Sequence, residues 1–95
     1  MFLVILKACA KSRQDAEEVC RLVRHTLQLL REPGYARAIC SVCTRDDRSV
    51  FIEEEWGSMA AVQSWLSSPA RQRLIDQIRP LLEGPIDCAV YEEQA

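Results

Sequence analysis

The stretch from Glu53 to Pro69 constrains the fold of this chain more than any other. It reads as the end of a strand, Glu53-Glu54-Glu55-Trp56, then a Gly57-Ser58 turn, a short alanine-rich helix carrying Trp65-Leu66, and Ser67-Ser68-Pro69 opening another helix. Ser68 suits the N-cap, where its hydroxyl accepts a free backbone N–H, and Pro69 suits the first helical position, where no backbone donor is needed. Strand, turn, helix, turn and helix in so few residues leave little freedom in how the segment folds back on itself. Alternation along the strand puts Ile52, Glu54 and Trp56 on one face and Phe51, Glu53 and Glu55 on the other, so only one of these sets can meet a core.

The remaining elements follow from periodicity. Phe2 to Cys9 is a first strand, with Phe2, Val4, Leu6 and Ala8 opposed to Leu3, Ile5 and Cys9. Ser12, with Asp15 three residues on, caps a helix whose apolar stripe is Ala16, Val19, Cys20, Val23, Leu27 and Leu30, and Pro33-Gly34 stops it. Tyr35 to Thr44 and Ser49 to Trp56 form a hairpin about Arg45-Asp46-Asp47-Arg48. Met59, Val62, Trp65 and Leu66 share one side of the short helix, and Leu74, Ile75, Ile78, Leu81 and Leu82 are the stripe of the next. Pro80 ends its regular hydrogen bonding, and Gly84-Pro85 precedes a last strand from Ile86 to Tyr91. The order β-α-β-β-α-α-β predicts an α+β, ferredoxin-like domain spanning residues 1–95, a four-stranded antiparallel sheet with helices on one face.

A sheet covered on one side should alternate apolar with polar residues. Here Leu3 and Ile5 oppose Val4 and Leu6, Ile39 opposes Cys40 and Val42, and Ala89 and Tyr91 oppose Cys88 and Val90. The second sheet face is therefore expected to be covered as well, and the same face of another copy is the economical cover, giving a homodimer through the sheets.

A net charge of −2 with scattered arginines argues against a nucleic-acid partner. No stretch approaches the ~20 apolar residues that would span a bilayer, so no membrane partner is expected. Phe2 to Leu6 lacks a preceding basic residue and is interrupted at Lys7, which favours a strand over a secretory leader; with the odd count of five cysteines this points to a reducing, cytoplasmic setting with free thiols. All five thiols are expected to be buried as small hydrophobes. Cys40 and Cys43 have C-x-x-C spacing, but on a strand they point to opposite faces and cannot grip one metal ion. There is no phosphate-binding glycine loop and no Ser-His-Asp order, and a single histidine disfavours most metal sites. No metal and no cofactor are expected.

The Glu-x-Trp ending at Trp56, the helix after it, the Ser68-Pro69 step and the earlier Glu32-Pro33-Gly34 turn, in this order and spacing, resemble the antibiotic-biosynthesis-monooxygenase family over nearly all of the chain. The resemblance implies small ferredoxin-like proteins that pair sheet to sheet in a dimeric α/β barrel and oxidise anthrones or quinols without metal or flavin, with a related branch that degrades haem. In the anthrone-oxidising branch a strand asparagine, the strand-end tryptophan and an arginine of the last helix shape the site. Trp56 matches the tryptophan, while the asparagine position falls on Ile52 and the arginine position near Ile75. In the haem branch Trp65 matches a helix tryptophan, but Lys7 and Ile75 stand at the asparagine and histidine-ligand positions, so the iron would lose its protein ligand and haem degradation is disfavoured.

Oxidising an electron-rich phenol needs a dry pocket, a surface to stack a planar ring, and a base for the phenolic proton. If Trp56 points between sheet and helices, Glu54 goes with it, and burial would raise its pKa towards the value a phenol's base needs. Glu54 is thus the candidate catalytic residue, and Trp56, Trp65, Ile52 and Ile75 are the candidate substrate-binding residues. The competing readings make Glu54 a solvated strand end or a partner of Arg71 or Arg73, and both tryptophans plain core. His25, Tyr35 and Tyr91 are weaker candidates. The expected function is a cofactor-independent monooxygenase of a small planar phenolic or quinol-type molecule. A small-molecule-binding or stress-related protein without turnover is the alternative, and a plain assembly module a third; only the site separates the first two.

Overall fold

The computed structural model describes residues 1–95. Strand β1 (Phe2–Cys9) leads to helix α1 (Arg13–Gln28), the hairpin β2 (Tyr35–Val42) and β3 (Ser49–Trp56), helices α2 (Met59–Leu66) and α3 (Pro69–Ile78), a 3₁₀ turn at Arg79–Leu81, and β4 (Asp87–Glu92). The strands form one sheet in the order β2-β3-β1-β4, every neighbouring pair antiparallel. This is the expected ferredoxin-like arrangement. Two boundaries differ: β2 stops two residues before Thr44, where Cys43 turns into the hairpin loop, and β4 lies one residue later than expected.

Each helix starts on a serine. The hydroxyls of Ser12, Ser58 and Ser68 accept the backbone N–H of Asp15, Ala61 and Arg71, each at 3.1 Å. Ser58 therefore begins α2 rather than merely closing β3. Pro80 acts as expected: α3 ends at Ile78 and the chain tightens into the 3₁₀ turn. Gly34 is needed twice over. Its φ is +89°, and a Cβ there would lie 2.9 Å from the Cβ of Ala61. This close approach lets Gly57 N–H donate to the Gly34 carbonyl at 2.7 Å, tying the start of β2 to the end of β3.

The core lies between the sheet and the helices. Ala16, Val19, Cys20, Val23 and Leu27 of α1 bury against Val4, Leu6, Val50 and Ile52, with Val62, Trp65, Leu74, Ile75 and Ile78 closing the other end. Leu30 and Leu81 fall beyond their helices and are only half-buried.

On the outer face, cross-strand register places Glu53 between Ile39 and Ile5, and Glu55 between Arg37 and Leu3. That face is therefore a checkerboard of apolar and charged groups, less uniformly apolar than the sequence suggests, although Ile39, Phe51 and Tyr91 are exposed. The expectation of five buried thiols fails. Only Cys20 is buried; Cys9 and Cys40 are half-buried, and Cys43 and Cys88 are exposed because they sit at the hairpin and on the edge strand β4. No helix is long and apolar enough to cross a membrane.

Candidate functional site

Strand β3 delivers its even-numbered residues to the helix-covered face. Val50, Ile52, Glu54 and Trp56 are all buried there, Glu54 with 3% of its surface accessible. Glu54 sits mid-sheet, with Val4 of β1 on one side and Ala38 of β2 on the other. It is therefore no solvated strand end. Nor is it ion-paired, since none of the chain's salt bridges includes it. Its one direct partner is the Trp56 indole, whose Nε1–H donates to Glu54 Oε1 at 3.2 Å.

Burial is the main influence on the Glu54 pKa and pushes it above the ordinary 4.5; the Trp56 hydrogen bond, the Arg71 charge and the Trp65 indole pull the other way without reversing the shift. Arg71 thus acts on Glu54 through space, and its guanidinium Nη2 reaches the Cys88 sulfur at 3.7 Å. Arg73 lies elsewhere, in a shallow depression with His25 between α1 and α3.

Trp56 and Trp65 stack with ring centroids 6.0 Å apart and planes 27° from parallel, and Tyr35 leans on Trp56 at 5.2 Å. Both tryptophans are wholly buried, so the stack fills the core at this end of the sheet. Tyr35 joins it because the β2–β3 register slips between Tyr35 and Arg37, leaving Ala36 as an extra residue that swings Tyr35 onto the helix side opposite Trp56. Burial, then the nearby Glu54 charge, raises the Tyr35 pKa and keeps its phenol protonated.

Ile52, Glu54, Trp65 and Ile75 meet around one small cavity of about 10 Å³, with Leu6, Val23, Arg71, Leu74 and Ile78 completing its wall. Trp56 stands next to it through Glu54. The five residues expected from sequence are therefore neighbours. Trp65 Nε1 is the only buried side-chain nitrogen or oxygen without a well-formed hydrogen bond, and it lies close enough to Glu54 to help lower that carboxyl's pKa. Arg71, which the sequence suggested only as a possible ion partner, lines the cavity one turn before Ile75. Of the weaker candidates, His25 and Tyr91 are exposed and away from this cavity. Lys7 is exposed too, opposite Phe51 on the outer face.

A raised carboxyl pKa ties stability to pH. The folded chain holds the Glu54 proton more tightly than the unfolded chain does, so its stabilising contribution is complete below about 4.5 and is lost as pH rises through the higher folded value. The stability of Glu54→Gln relative to wild type should therefore improve as pH rises from 4.5 through the folded value and level off above it. Urea unfolding of both proteins from pH 4 to 8 checks this, and a difference that does not change with pH would remove the buried-carboxylate account.

Residues 1–77 match the family model described as antibiotic biosynthesis monooxygenase. No curated protein matches the chain in sequence. Among solved structures, a monooxygenase from the ActVA-Orf6 gene of Streptomyces coelicolor, in complex with Nanaomycin D, superposes with a TM-score of 0.85 at 17% identity over 99% of this chain and 88% of its own. A mutant of SnoaB from Streptomyces nogalater, described as a cofactor-independent oxygenase, gives 0.79 at 16% identity over 99% and 93%. A conserved protein from Methanosarcina mazei Go1 gives 0.82 at 15% identity over 98% and 92%. At such identities these likenesses speak for the fold.

Proposed function

The chain belongs to the antibiotic biosynthesis monooxygenase family, and on that premise we propose that it is a cofactor-independent monooxygenase acting on a small planar phenolic or quinol-type molecule, all 95 residues forming one domain. The observation that carries this reading is Glu54: a buried carboxyl without an ion pair, its pKa raised, beside a cavity that also holds an unpartnered indole N–H. A carboxyl whose pKa burial has raised, lying beside a cavity with no counter-ion, is a functional-site candidate. Two solved relatives, the cofactor-independent oxygenase and the monooxygenase holding Nanaomycin D, lend the reaction class.

In this reading Glu54 takes the phenolic proton, and the electron-rich anion then passes an electron to dioxygen. Radical recombination forms a peroxide on the ring carbon. Loss of water from the peroxide leaves that carbon as a carbonyl, so one oxygen atom enters the product and the other leaves as water. The four electrons that reduce dioxygen all come from the substrate, and no outside reductant is needed. Arg71 and the free Trp65 N–H favour the anionic states along the way, and Ile52 and Ile75 keep the site dry. With Ile75 where a haem ligand would be required, haem degradation stays disfavoured. Oxygen uptake by the purified protein with a panel of quinols and anthrones tests the proposal; no uptake with any phenol that quenches its tryptophans would leave a binding protein.

The outer sheet face supports a homodimer in which two sheets meet. Exposed Ile39, Phe51 and Tyr91 would be covered, and Glu53, Glu55, Lys7 and Arg37 would supply complementary charges across the two-fold axis. Light scattering at micromolar concentration should return twice the chain mass, and a monomer there would overturn the arrangement.

A further inference from the structure

The cavity beside Glu54 has room for a molecule the size of water or dioxygen and no room for an aromatic ring. A larger space lies directly alongside. Between α1 and the edge strand β2 runs a groove of about 450 Å³, within the range of ligand pockets, floored by Val23, Leu27, Ala38 and Cys40 and flanked by Tyr35. Its floor abuts the buried site through the sheet register: Ala38 is the cross-strand partner of Glu54, Cys40 of Ile52, and Tyr35 of Trp56. Directly opposed side chains start only about 5 Å apart, so the small Ala38 leaves the groove close to the carboxyl. Val23 lines both spaces.

The charge of the groove is unlike that of the chain. The protein carries −2 overall, yet the groove is lined by Arg24, Arg31 and Arg37 and by no acidic residue. Arg37 is engaged by Glu55. Arg24 has no ion pair, and Arg31 donates only to the carbonyls of Gln28 and Leu30 at 3.3 and 3.2 Å. The other arginines of α1 are neutralised, Arg13 by Glu17 and Asp47 and Arg21 by Glu18. Two unneutralised guanidinium groups over an apolar floor complement a ligand with an anionic end and a flat apolar body.

We propose that this groove binds a planar aromatic carboxylate, its carboxylate held between Arg24 and Arg31 and its ring lying on Val23, Leu27 and Ala38 with the far edge towards Tyr35 and Glu54. The inference rests on the monooxygenase reading only for what happens to the ring after binding; the binding itself does not depend on it. It narrows the substrate class to an aromatic acid.

Calorimetric titration with 2-naphthoate and with its neutral isostere 2-naphthamide tests the proposal. The wild-type chain should prefer the acid by about tenfold, the effect of one or two charge-assisted hydrogen bonds at a wet site. The surface variant Arg24→Gln/Arg31→Gln should erase that preference while leaving the amide's affinity unchanged, and Ala38→Leu, which fills the floor, should weaken both ligands by about tenfold or more. Equal binding of acid and amide by the wild type, a preference that survives the double arginine variant, or no binding of either at millimolar concentration would each overturn it. No turnover is read in this experiment, so its failure is distinct from a failure of the oxygen-uptake assay.

Discussion

Glu54→Gln is expected to lower oxygen uptake with a responsive phenol by about 10²–10⁴-fold, the usual contribution of a general base, while the chain stays folded. The substitution is nearly isosteric. Gln keeps an oxygen to accept the Trp56 Nε1–H that now lies 3.2 Å from Oε1, so the indole stays in place and the stack with Trp65 is undisturbed. What disappears is the ability to take up a proton. The wild-type rate should rise with pH as Glu54 ionises, with its acid limb above the ordinary 4.5 because burial raises the pKa, and the residual rate of the variant should lack that limb. A Glu54→Gln protein that turns over as fast as wild type would end the catalytic assignment and leave the binding-protein reading in its place.

The path from sequence to site was legible where a local rule decides the outcome. Strand parity alone groups Ile52, Glu54 and Trp56, and the structure places the three on the covered face. Serine caps and Pro69 mark helix starts by the hydrogen bonds they make or do not need, as Ser12 and Ser68 do here. Features set by tertiary register were not legible. The extra residue at Ala36, which turns Tyr35 towards Trp56, has no signature until β2 and β3 are paired. Arg71 and Ile75 share one face of α3, four residues apart, but that both reach the cavity beside Glu54 shows only once α3 is packed on the sheet. The thiols misled because burial of a cysteine depends on whether its strand is central or at an edge, and Cys40 and Cys88 fell on the edge strands β2 and β4. The unneutralised groove arginines show only once the partners of Arg13, Arg21 and Arg37 are known in space.

The largest stability effect is expected at Trp56. Its side chain is wholly buried, touches rings on both sides in Tyr35 and Trp65, and provides the only direct hydrogen bond to Glu54. Trp56→Ala removes the transfer energy of the indole and leaves a cavity, together worth about 3–5 kcal/mol. It also strands the buried carboxyl without its donor, at a further cost of about 1–3 kcal/mol. A domain of this size is typically stable by only about 5–15 kcal/mol, so the variant should lose a large share of its stability. Trp56→Phe separates the two contributions, because it keeps much of the ring contact and deletes the donor alone. If the donor matters as the geometry implies, the loss on Trp56→Phe should grow as pH rises and Glu54 becomes charged, and should be smaller when Glu54→Gln is already present. Urea unfolding of the four proteins of that cycle gives the coupling directly. Additive losses for Trp56→Phe and Glu54→Gln would mean that the carboxylate charge adds nothing to a bond that Gln can also accept, and a Trp56→Ala protein within about 1 kcal/mol of wild type would mean that the indole does not hold this end of the core.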